Sequence, residues 1–386
     1  MKSFPVPDPR QAGRLLEQLL ERPAIVTPRR VDRPLVLYGA GKMGHLAAEL
    51  LQKLDIPVAY AIDRSPPPDR LLDGRIPVYR PDEAPPQDRR THLIAVCTVF
   101  SPYQPIRAAL AQAGWLDVTP FYDIAEAYVD RVPMGNGWFL GALEAHEPAE
   151  IRQVLGTWDD DHSRAAHLQF LAWRLHREEW EFAAAPVTID DRYFIEPVRR
   201  LLGGEEFFLD AGACHGTVTE TFLAAVGETC RGIVALEPDP DNAAVLREKL
   251  SRTVRSEGRR VELLPCALGE RAGVSSFHAG LELASRLGGA GTAAVRVCTL
   301  DEIDAPATFA KIHLEGGELD ALRGGLNWLE KRRPILAITV YHNRDGIWKI
   351  PKLLMNSLPG YRFLLRDHAW CGTGVVLYGI PAQRDR

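Results

Sequence analysis

Two short segments of the sequence carry acids and glycines at a spacing that suits nucleotide binding. Residues 207–216 read Phe-Phe-Leu-Asp-Ala-Gly-Ala-Cys-His-Gly, an apolar run that ends in Asp210 and a glycine-rich loop. Residues 233–239 form a second apolar run, which ends in Glu237. An acid about twenty residues after a glycine bend is expected to bind ribose hydroxyls in a βαβ nucleotide site. We therefore predict a nucleotide pocket at the point where these two strands end.

Four residues of this predicted pocket have defined physical tasks. Gly212 and Gly216 would let the backbone approach a ligand where a Cβ atom would collide. Asp210 could accept hydrogen bonds around a ligand ammonium group, and Glu237 could accept both ribose hydroxyls. Taken singly, Asp210 could equally be a helix N-cap and Glu237 a surface acid. Their joint position on two strand ends favours the pocket.

An acid that precedes the glycines resembles the S-adenosylmethionine (SAM) site of class I methyltransferases more than a dinucleotide loop. Further residues of such a pocket are Ala213, His215, Pro238 and Cys266. His215 could contact the SAM carboxylate or simply face solvent. Cys266 follows the third strand, where many methyltransferases carry an acid for the adenine amino group, so backbone groups would have to serve there.

A second set of polar residues follows the next strands of the same half. Residues 311–318 read Lys-Ile-His-Leu-Glu-Gly-Gly-Glu, and His342 follows a later apolar run. Strand alternation places Lys311 and His313 on one face, so His313 and Glu315 are expected to face the crevice beside the pocket. Histidine is well matched to accept a proton from a hydroxyl near neutral pH. We predict His313, Glu315 and His342 as the catalytic residues, although His313 could instead be a hydrogen-bonded histidine under the sheet edge.

The same three residues could hold a divalent metal if they converged, because two imidazoles and a carboxylate are a common donor set. They come from separate strands, and nothing in the sequence fixes the distances between them. We therefore predict no bound metal.

Residues 189–381 resemble an FkbM-type methyltransferase. The matching motifs are Arg192-Tyr-Phe, Asp210-Ala-Gly-Ala-x-x-Gly216, Glu237-Pro-Asp239, Thr299-Leu-Asp301, Lys311-Ile-x-x-Glu-Gly-x-Glu318, Leu322-x-Gly324, Tyr361 and Val376-Leu-Tyr378. The resemblance implies SAM-dependent O-methylation of a hydroxyl, commonly on a sugar or a natural-product scaffold. The chain departs from the family at His313, where an aspartate is usual, so the exchange either preserves a base or removes one. The family also often carries a serine near the substrate, and Ser285 falls in that connection.

A complete G-x-G-x-x-G motif lies near the N-terminus. It consists of Gly39, Gly41 and Gly44 between an apolar run and a helical pattern, and Asp63 closes the next apolar run. This spacing is typical of a dinucleotide loop. The region also resembles the small Rossmann-like domain that precedes some sugar-modifying enzymes. NAD-type binding, another nucleotide or sugar ligand, and a purely structural role all remain open for this loop.

Hydrophobic periodicity predicts an α/β protein with two parallel sheets. We expect an N-terminal Rossmann-like domain with a leading helix (1–127), a helical connector (128–185) and a class I methyltransferase domain (186–386) with a doubly wound seven-stranded sheet. The strands predicted for the small domain are 35–38, 58–62, 92–97 and 118–121. Those predicted for the large domain are 207–209, 233–236, 261–265, 311–314, 335–340, 362–365 and 375–378.

Composition narrows the class of protein further. A net charge of −5 offers no basic field for nucleic acid or anionic lipid. The six cysteines include no C-x-x-C pair, which argues against a cysteine zinc site and a disulfide scaffold. We see no apolar signal segment and no run long enough to span a bilayer, so we expect a soluble cytoplasmic protein. Assembly into a homo-oligomer is left open.

The sequence thus predicts a SAM-dependent O-methyltransferase that acts on a hydroxyl of a saccharide or secondary metabolite. One alternative is an NAD(P)-binding oxidoreductase that uses the N-terminal glycine loop. Another is a non-catalytic nucleotide-binding sensor, which the unusual His313 would suit.

Overall fold

The structure, a computed structural model, describes residues 1–24, 28–132, 139–227, 230–253, 260–278, 286–287 and 293–384. Two sheets with helices packed on their faces dominate it, a six-stranded sheet in the N-terminal part and a seven-stranded sheet in the C-terminal part. Ser285 lies outside the described residues. Of the helices described, none has the length and apolar character needed to cross a membrane.

The N-terminal sheet has the strand order β4-β5-β3-β2-β6-β7, and only the β4–β5 pair is antiparallel. Leu35 and Leu37 face one core of this sheet and Val36 faces the other, as expected for a strand covered on both sides. In chain order the elements are β1 (Lys2–Phe4), α1 (Pro9–Leu20), β2 (Leu35–Tyr38), α2 (Lys42–Lys53), β3 (Val58–Ile62), β4 (Leu71–Leu72), β5 (Ile76–Tyr79), a 3₁₀ helix (Pro86–Arg90), β6 (Leu93–Val96), α3 (Tyr103–Gln112), β7 (Asp117–Pro120) and α4 (Phe121–Ala127).

The connector consists of α5 (Glu147–Thr157), α6 (Asp161–His176) and β8 (Trp180–Phe182). It differs from the sequence interpretation in two respects. Strand β8 pairs in parallel with β1, so the connector is not wholly helical. The apolar stripe of α1 is buried with residues of α5 and α6, although the interpretation grouped α1 with the N-terminal domain. An amphipathic helix must bury its stripe, but its periodicity does not say against which partner.

The C-terminal sheet has the order β11-β10-β9-β16-β17-β19-β18, with the last two pairs antiparallel, so the predicted seven-stranded sheet is confirmed. In chain order the elements are α7 (Glu196–Arg199), β9 (Phe207–Ala211), α8 (Thr217–Val226), β10 (Gly232–Leu236), α9 (Pro240–Thr253), β11 (Arg260–Leu264), β12 (Ala267–Leu268), β13 (Gly273–His278), β14 (Arg286–Leu287), β15 (Ala293–Cys298), α10 (Leu300–Ile303), β16 (Phe309–Ile312), α11 (Glu318–Arg323), α12 (Leu326–Arg332), β17 (Ile335–Thr339), α13 (Gly346–Ser357), β18 (Tyr361–Asp367) and β19 (Val375–Pro381).

Alternate residues of the central strands enter two separate cores. Leu209 and Leu336 pack into the core shared with the connector, whereas Phe208 and Ile335 pack into the core on the opposite face. This double burial explains why the strands read as continuous apolar runs. The parallel strands β9, β10, β16 and β17 all end at the same edge of the sheet, which is where ligands bind in open α/β folds.

A small four-stranded sheet, with the order β12-β15-β13-β14, follows β11. The sequence interpretation contained none of these strands. Their signal is weak, since β12 and β14 have two residues each and the exposed positions of β13 and β15 mix apolar and polar residues, such as Val274 and Arg296. Predicted strand 311–314 is also displaced, because β16 ends at Ile312 and leaves His313 in the following loop.

Candidate active site

The chain turns sharply after β9, and the turn requires glycine. Gly212 and Gly216 have φ angles of +73° and +77°, in the left-handed region. A Cβ atom at Gly212 would lie 1.9 Å from the carbonyl oxygen of His313, and one at Gly216 would lie 2.7 Å from Leu246 Cδ1. The backbone amides of Gly212 and Ala213 both donate to the Leu236 carbonyl at 3.0 Å, which ties the bend to the end of β10.

Glu237, directly after β10, holds the same bend from the other side. Its Oε2 accepts a hydrogen bond from the Cys214 amide at 2.7 Å, and its Oε1 accepts one from the Asp239 amide at 3.0 Å. Burial raises the pKa of this carboxyl group, against the lowering effect of the two amides. Each oxygen keeps a second lone pair, and the side chain lines a cavity, so Glu237 can still accept hydrogen bonds from a ligand.

Asp210 lies beneath the bend rather than at its surface. It is fully buried, and it accepts from Lys311 Nζ at 3.0 Å and from Thr219 Oγ1 at 2.7 Å. Asp210 is not among the described residues that line the cavity. Its carboxylate is thus engaged inside the protein, and its predicted contact with a ligand ammonium group stays a prediction.

Lys311 is a further residue of the site. The sequence placed it on the same strand face as His313 but indicated no role for it. Besides Asp210, its Nζ donates to the carbonyl oxygens of Ala211 at 3.2 Å and Gly212 at 2.5 Å. It therefore joins the ends of β16 and β9 and fixes the glycine bend. The sequence signal for a role of Lys311 was its position at the start of the motif that contains His313. Its partner Asp210 could not be inferred without the strand order.

The three predicted catalytic residues converge. His313 Nε2 lies 2.8 Å from Glu315 Oε1, and His342 Nε2 lies 3.4 Å from the same oxygen. The two imidazole rings stack with centroids 4.8 Å apart. Glu315 has a φ of +51° and is followed by Gly316 at +107°, so a left-handed turn directs its carboxylate towards both rings.

Each histidine is held through its other nitrogen. Tyr193 Oη lies 2.7 Å from His313 Nδ1, and Glu318 Oε1 lies 2.6 Å from His342 Nδ1. Glu318 is in turn fixed by hydrogen bonds from the Thr339 hydroxyl at 2.7 Å and from the Gly316 amide at 3.0 Å.

The surroundings drive the pKa values of the two histidines in opposite directions. Burial, together with the nearby charges of His342, Arg192 and Lys311, places the pKa of His313 well below its usual range. Burial also opposes protonation of His342, but Glu315, Tyr341 and Glu318 outweigh it and raise its pKa to about 10. These opposite directions favour the neutral form of His313 and the protonated form of His342.

A cavity of about 1190 Å³ opens above these residues. Its methyltransferase wall contains most of the predicted cofactor and catalytic residues, namely Gly212, Ala213, His215, Glu237, Pro238, Cys266, His313, Glu315 and His342. A second part of its wall comes from the N-terminal domain and includes Lys42, Met43, His45, Leu46, Asp73 and Arg75. The volume exceeds that of a typical single-ligand pocket, so a nucleotide and a second molecule can fit together.

The N-terminal glycine loop is held in the same way as the C-terminal bend, by a carboxylate that follows the neighbouring strand. Asp63 Oδ2 accepts from the Ala40 amide at 2.7 Å, much as Glu237 accepts from Cys214. Gly39 has a φ of +109°, and a Cβ at Gly44 would lie 2.3 Å from the Gly39 carbonyl oxygen. A Cβ at Gly41 would meet no described atom within 4 Å. Packing therefore accounts for two of the three glycines without a ligand.

Comparison with known proteins gives a family match and several structural matches. Residues 210–368 match the model of the methyltransferase FkbM domain. The methyltransferase FkbM from Methylobacillus flagellatus KT has a similar fold, with 18% identity, a TM-score of 0.65, and coverage of 96% of this chain and 100% of that chain. An rRNA methylase from Streptococcus thermophilus is 16% identical, with 48% of this chain and 90% of that chain covered and a TM-score of 0.30. An SAH-bound methyltransferase from Podospora anserina is 10% identical, with 67% and 94% covered and a TM-score of 0.30.

Among curated proteins, none matches this chain. The family match covers the glycine bend, Glu237, the histidine cluster and the strands that position them. The resemblance inferred from the motifs is confirmed over this region. The chain therefore carries a methyltransferase domain of the FkbM family at residues 210–368.

Proposed function

We propose that this methyltransferase transfers the methyl group of SAM to a hydroxyl group of a saccharide or secondary metabolite. The observation that carries the proposal is the shared cavity, which brings the glycine bend and Glu237 together with the cluster of His313, Glu315 and His342. A cofactor on the bend and a hydroxyl at the cluster would lie in one enclosed space, as direct transfer requires.

The residues present fit SAM. Gly212 lines the cavity at the bend, and Glu237 offers acceptor lone pairs on the same wall. Backbone groups around Cys266 and Ala267 line the same wall and would face the adenine. When bound, SAM supplies a sulfonium methyl group that a nucleophilic oxygen can attack. The protein's share of the work is then alignment and exclusion of water.

The histidine cluster would handle the acceptor. His313 and Glu315 are each partly exposed to the cavity, whereas His342 is buried behind them. A hydroxyl placed against Glu315 and His313 could pass its proton to either as the new C–O bond forms. The charged and polar groups of the N-terminal wall, such as Lys42, His45 and Arg75, suit the many hydroxyls of a saccharide.

The first test is SAM binding measured by calorimetry. Glu237→Ala should weaken SAM affinity by roughly 1.5–3 kcal/mol, or about 10- to 150-fold, because a charged acceptor is lost. Glu237→Gln keeps one carbonyl acceptor and should lose less. Glu248→Ala, at an exposed position of α9, is the matched control and should bind SAM like the wild type. Equal affinity of all four proteins would contradict the assignment of Glu237.

The acceptor is sought with a labelled methyl donor and a fractionated lysate. Label in a saccharide or secondary-metabolite fraction would support the proposal. Tight SAM binding without transfer to any fraction would favour a non-catalytic nucleotide sensor. Binding of NADH without binding of SAM would favour an oxidoreductase.

A further inference from the structure

Besides accepting a proton, the histidine cluster has the donor atoms of a metal-binding site. We propose that His313, Glu315 and His342 bind a divalent transition-metal ion, with Zn²⁺ as the best match, at the acceptor side of the cavity. The sequence interpretation predicted no metal because nothing fixed the distances between these residues. The structure now supplies those distances.

The donor atoms are arranged around one point. Glu315 Oε1 lies 2.8 Å from His313 Nε2 and 3.4 Å from His342 Nε2, and one ligand atom from each residue lies within 4.8 Å of the others. With metal–ligand bonds of about 2.0–2.2 Å in a tetrahedral site, the donors are separated from one another by roughly 3.3–3.6 Å. A cation can therefore bind among the three with small side-chain movements, in place of the Nε2 proton that His342 otherwise holds.

The remaining nitrogens are held as they are in metal-binding histidines. Such a histidine normally gives its second ring N–H to a carboxylate or another polar oxygen, which fixes the tautomer and the ring orientation. His342 has Glu318 in this position at 2.6 Å, and His313 has the Tyr193 hydroxyl at 2.7 Å. Both Nε2 atoms are thereby directed towards Glu315.

The donor set selects the ion. Two imidazoles with one carboxylate suit Zn²⁺, Co²⁺ or Fe²⁺, whereas Mg²⁺ and Ca²⁺ prefer oxygen ligands. All three residues line the cavity, so further coordination positions would face a bound molecule. Methyl transfer involves no redox step, which leaves Lewis acidity as the useful property of the ion.

The role of the ion rests on the proposed function. A hydroxyl oxygen that coordinated Zn²⁺ would lose its proton to solvent more readily, because the cation stabilises the alkoxide. The C–O bond would then form as the sulfonium C–S bond breaks. With the ion bound, the three side chains would act on the hydroxyl through the metal instead of accepting its proton themselves.

The test uses the full chain after treatment with a chelator. Zn²⁺ is titrated against a chromophoric competitor, and Co²⁺ is followed by its visible absorption. We expect one ion per chain for each and none for Mg²⁺. His313→Gln and Glu315→Gln should abolish the Co²⁺ spectrum, and Glu318→Gln should weaken Zn²⁺ binding by about 10- to 100-fold. His92→Gln, which alters a histidine beside Asp88 in the N-terminal domain, is the control and should bind as the wild type does.

Folding and function are checked separately. Circular dichroism and SAM affinity are measured for each variant, so that loss of metal binding through misfolding is recognised. No Zn²⁺ binding by the wild type, or equal binding by His313→Gln and Glu315→Gln, would overturn the metal site. If SAM binding and methyl transfer persisted in metal-free protein, the role given to the ion in the reaction would be wrong, while the metal site and the proposed function would stand.

Discussion

Because Gly212 has no side chain, the bend after β9 can pack closely against the loop that follows β16. Replacing Gly212 by alanine would place a Cβ atom 1.9 Å from a backbone carbonyl oxygen of the neighbouring loop. The bend would have to open, and its φ of +73° would be strained for alanine by about 1–3 kcal/mol. We expect Gly212→Ala to lower the melting temperature and to weaken SAM binding, measured by thermal denaturation and calorimetry.

Gly203 provides the matched control for this substitution. It precedes the same strand, and a Cβ there would meet no described atom within 4 Å. Gly203→Ala should leave both SAM affinity and the melting temperature close to those of the wild type. Wild-type SAM affinity in Gly212→Ala would show that the tight bend does not shape the cofactor pocket.

At the level of residues, the sequence predicted which positions line the cavity better than it predicted their contacts inside the protein. Glycine spacing and strand ends located Gly212, Glu237 and the histidines, because these signals are local. The role of Asp210 depended on Lys311, which is 101 positions away and reaches it only because β16 pairs with β9. Such a contact follows from strand order, and a single sequence does not encode strand order in its periodicity.

Helix α6 carries a histidine whose burial should make stability depend on pH. His167 is fully buried and accepts a hydrogen bond from Trp158 Nε1 at 2.9 Å, and burial lowers its pKa to about 3. The folded protein thus keeps His167 neutral, while the unfolded chain protonates it below about pH 6.5. This contribution is complete above pH 6.5 and declines by about 1.4 kcal/mol per pH unit as the pH falls towards 3.

The prediction is tested by guanidinium unfolding, followed by tryptophan fluorescence, between pH 5 and pH 7. His167→Gln keeps an acceptor for Trp158 but has no titrating group, so its stability should fall less steeply than that of the wild type. The other histidines are common to both proteins and cancel in the comparison. Parallel pH profiles would show that His167 can be protonated without loss of folding.

Elements with strong periodicity were predicted well, and those stabilised only by tertiary pairing were not. Strands β2 and β3 have the predicted bounds, because each is a continuous apolar run between turn residues. Strands β1 and β8 have three residues each and pair across almost half the chain, so neither carries a recognisable pattern of its own. The packing of α1 on the connector could not be predicted either, because it also depends on contacts between segments that are far apart in the sequence.

On the scale of the whole molecule, residues of both domains line one cavity, whereas the sequence indicated a separate loop in each domain. The N-terminal loop suggested a nucleotide site, but the residues of that region in the cavity wall include Lys42 and His45 of α2 and Arg75 beyond it. Gly39, Gly41, Gly44 and Asp63 are not among the described wall residues. This placement favours a role for the N-terminal domain in holding the methyl acceptor opposite the cofactor.

Lys42 offers the most direct test of that role. It lies in the first turn of α2 and lines the cavity together with residues of the methyltransferase domain. Lys42→Ala should raise the KM for the acceptor found by methyl labelling by about 2- to 10-fold, the effect of one lost hydrogen bond, and leave SAM affinity unchanged. Lys331→Ala, in the last turn of α12, is the control, because neither this exposed lysine nor its partner Asp304 is among the described wall residues. A rise in KM for Lys42→Ala alone would place the acceptor between the two domains, whereas wild-type kinetics for both variants would confine it to the methyltransferase domain.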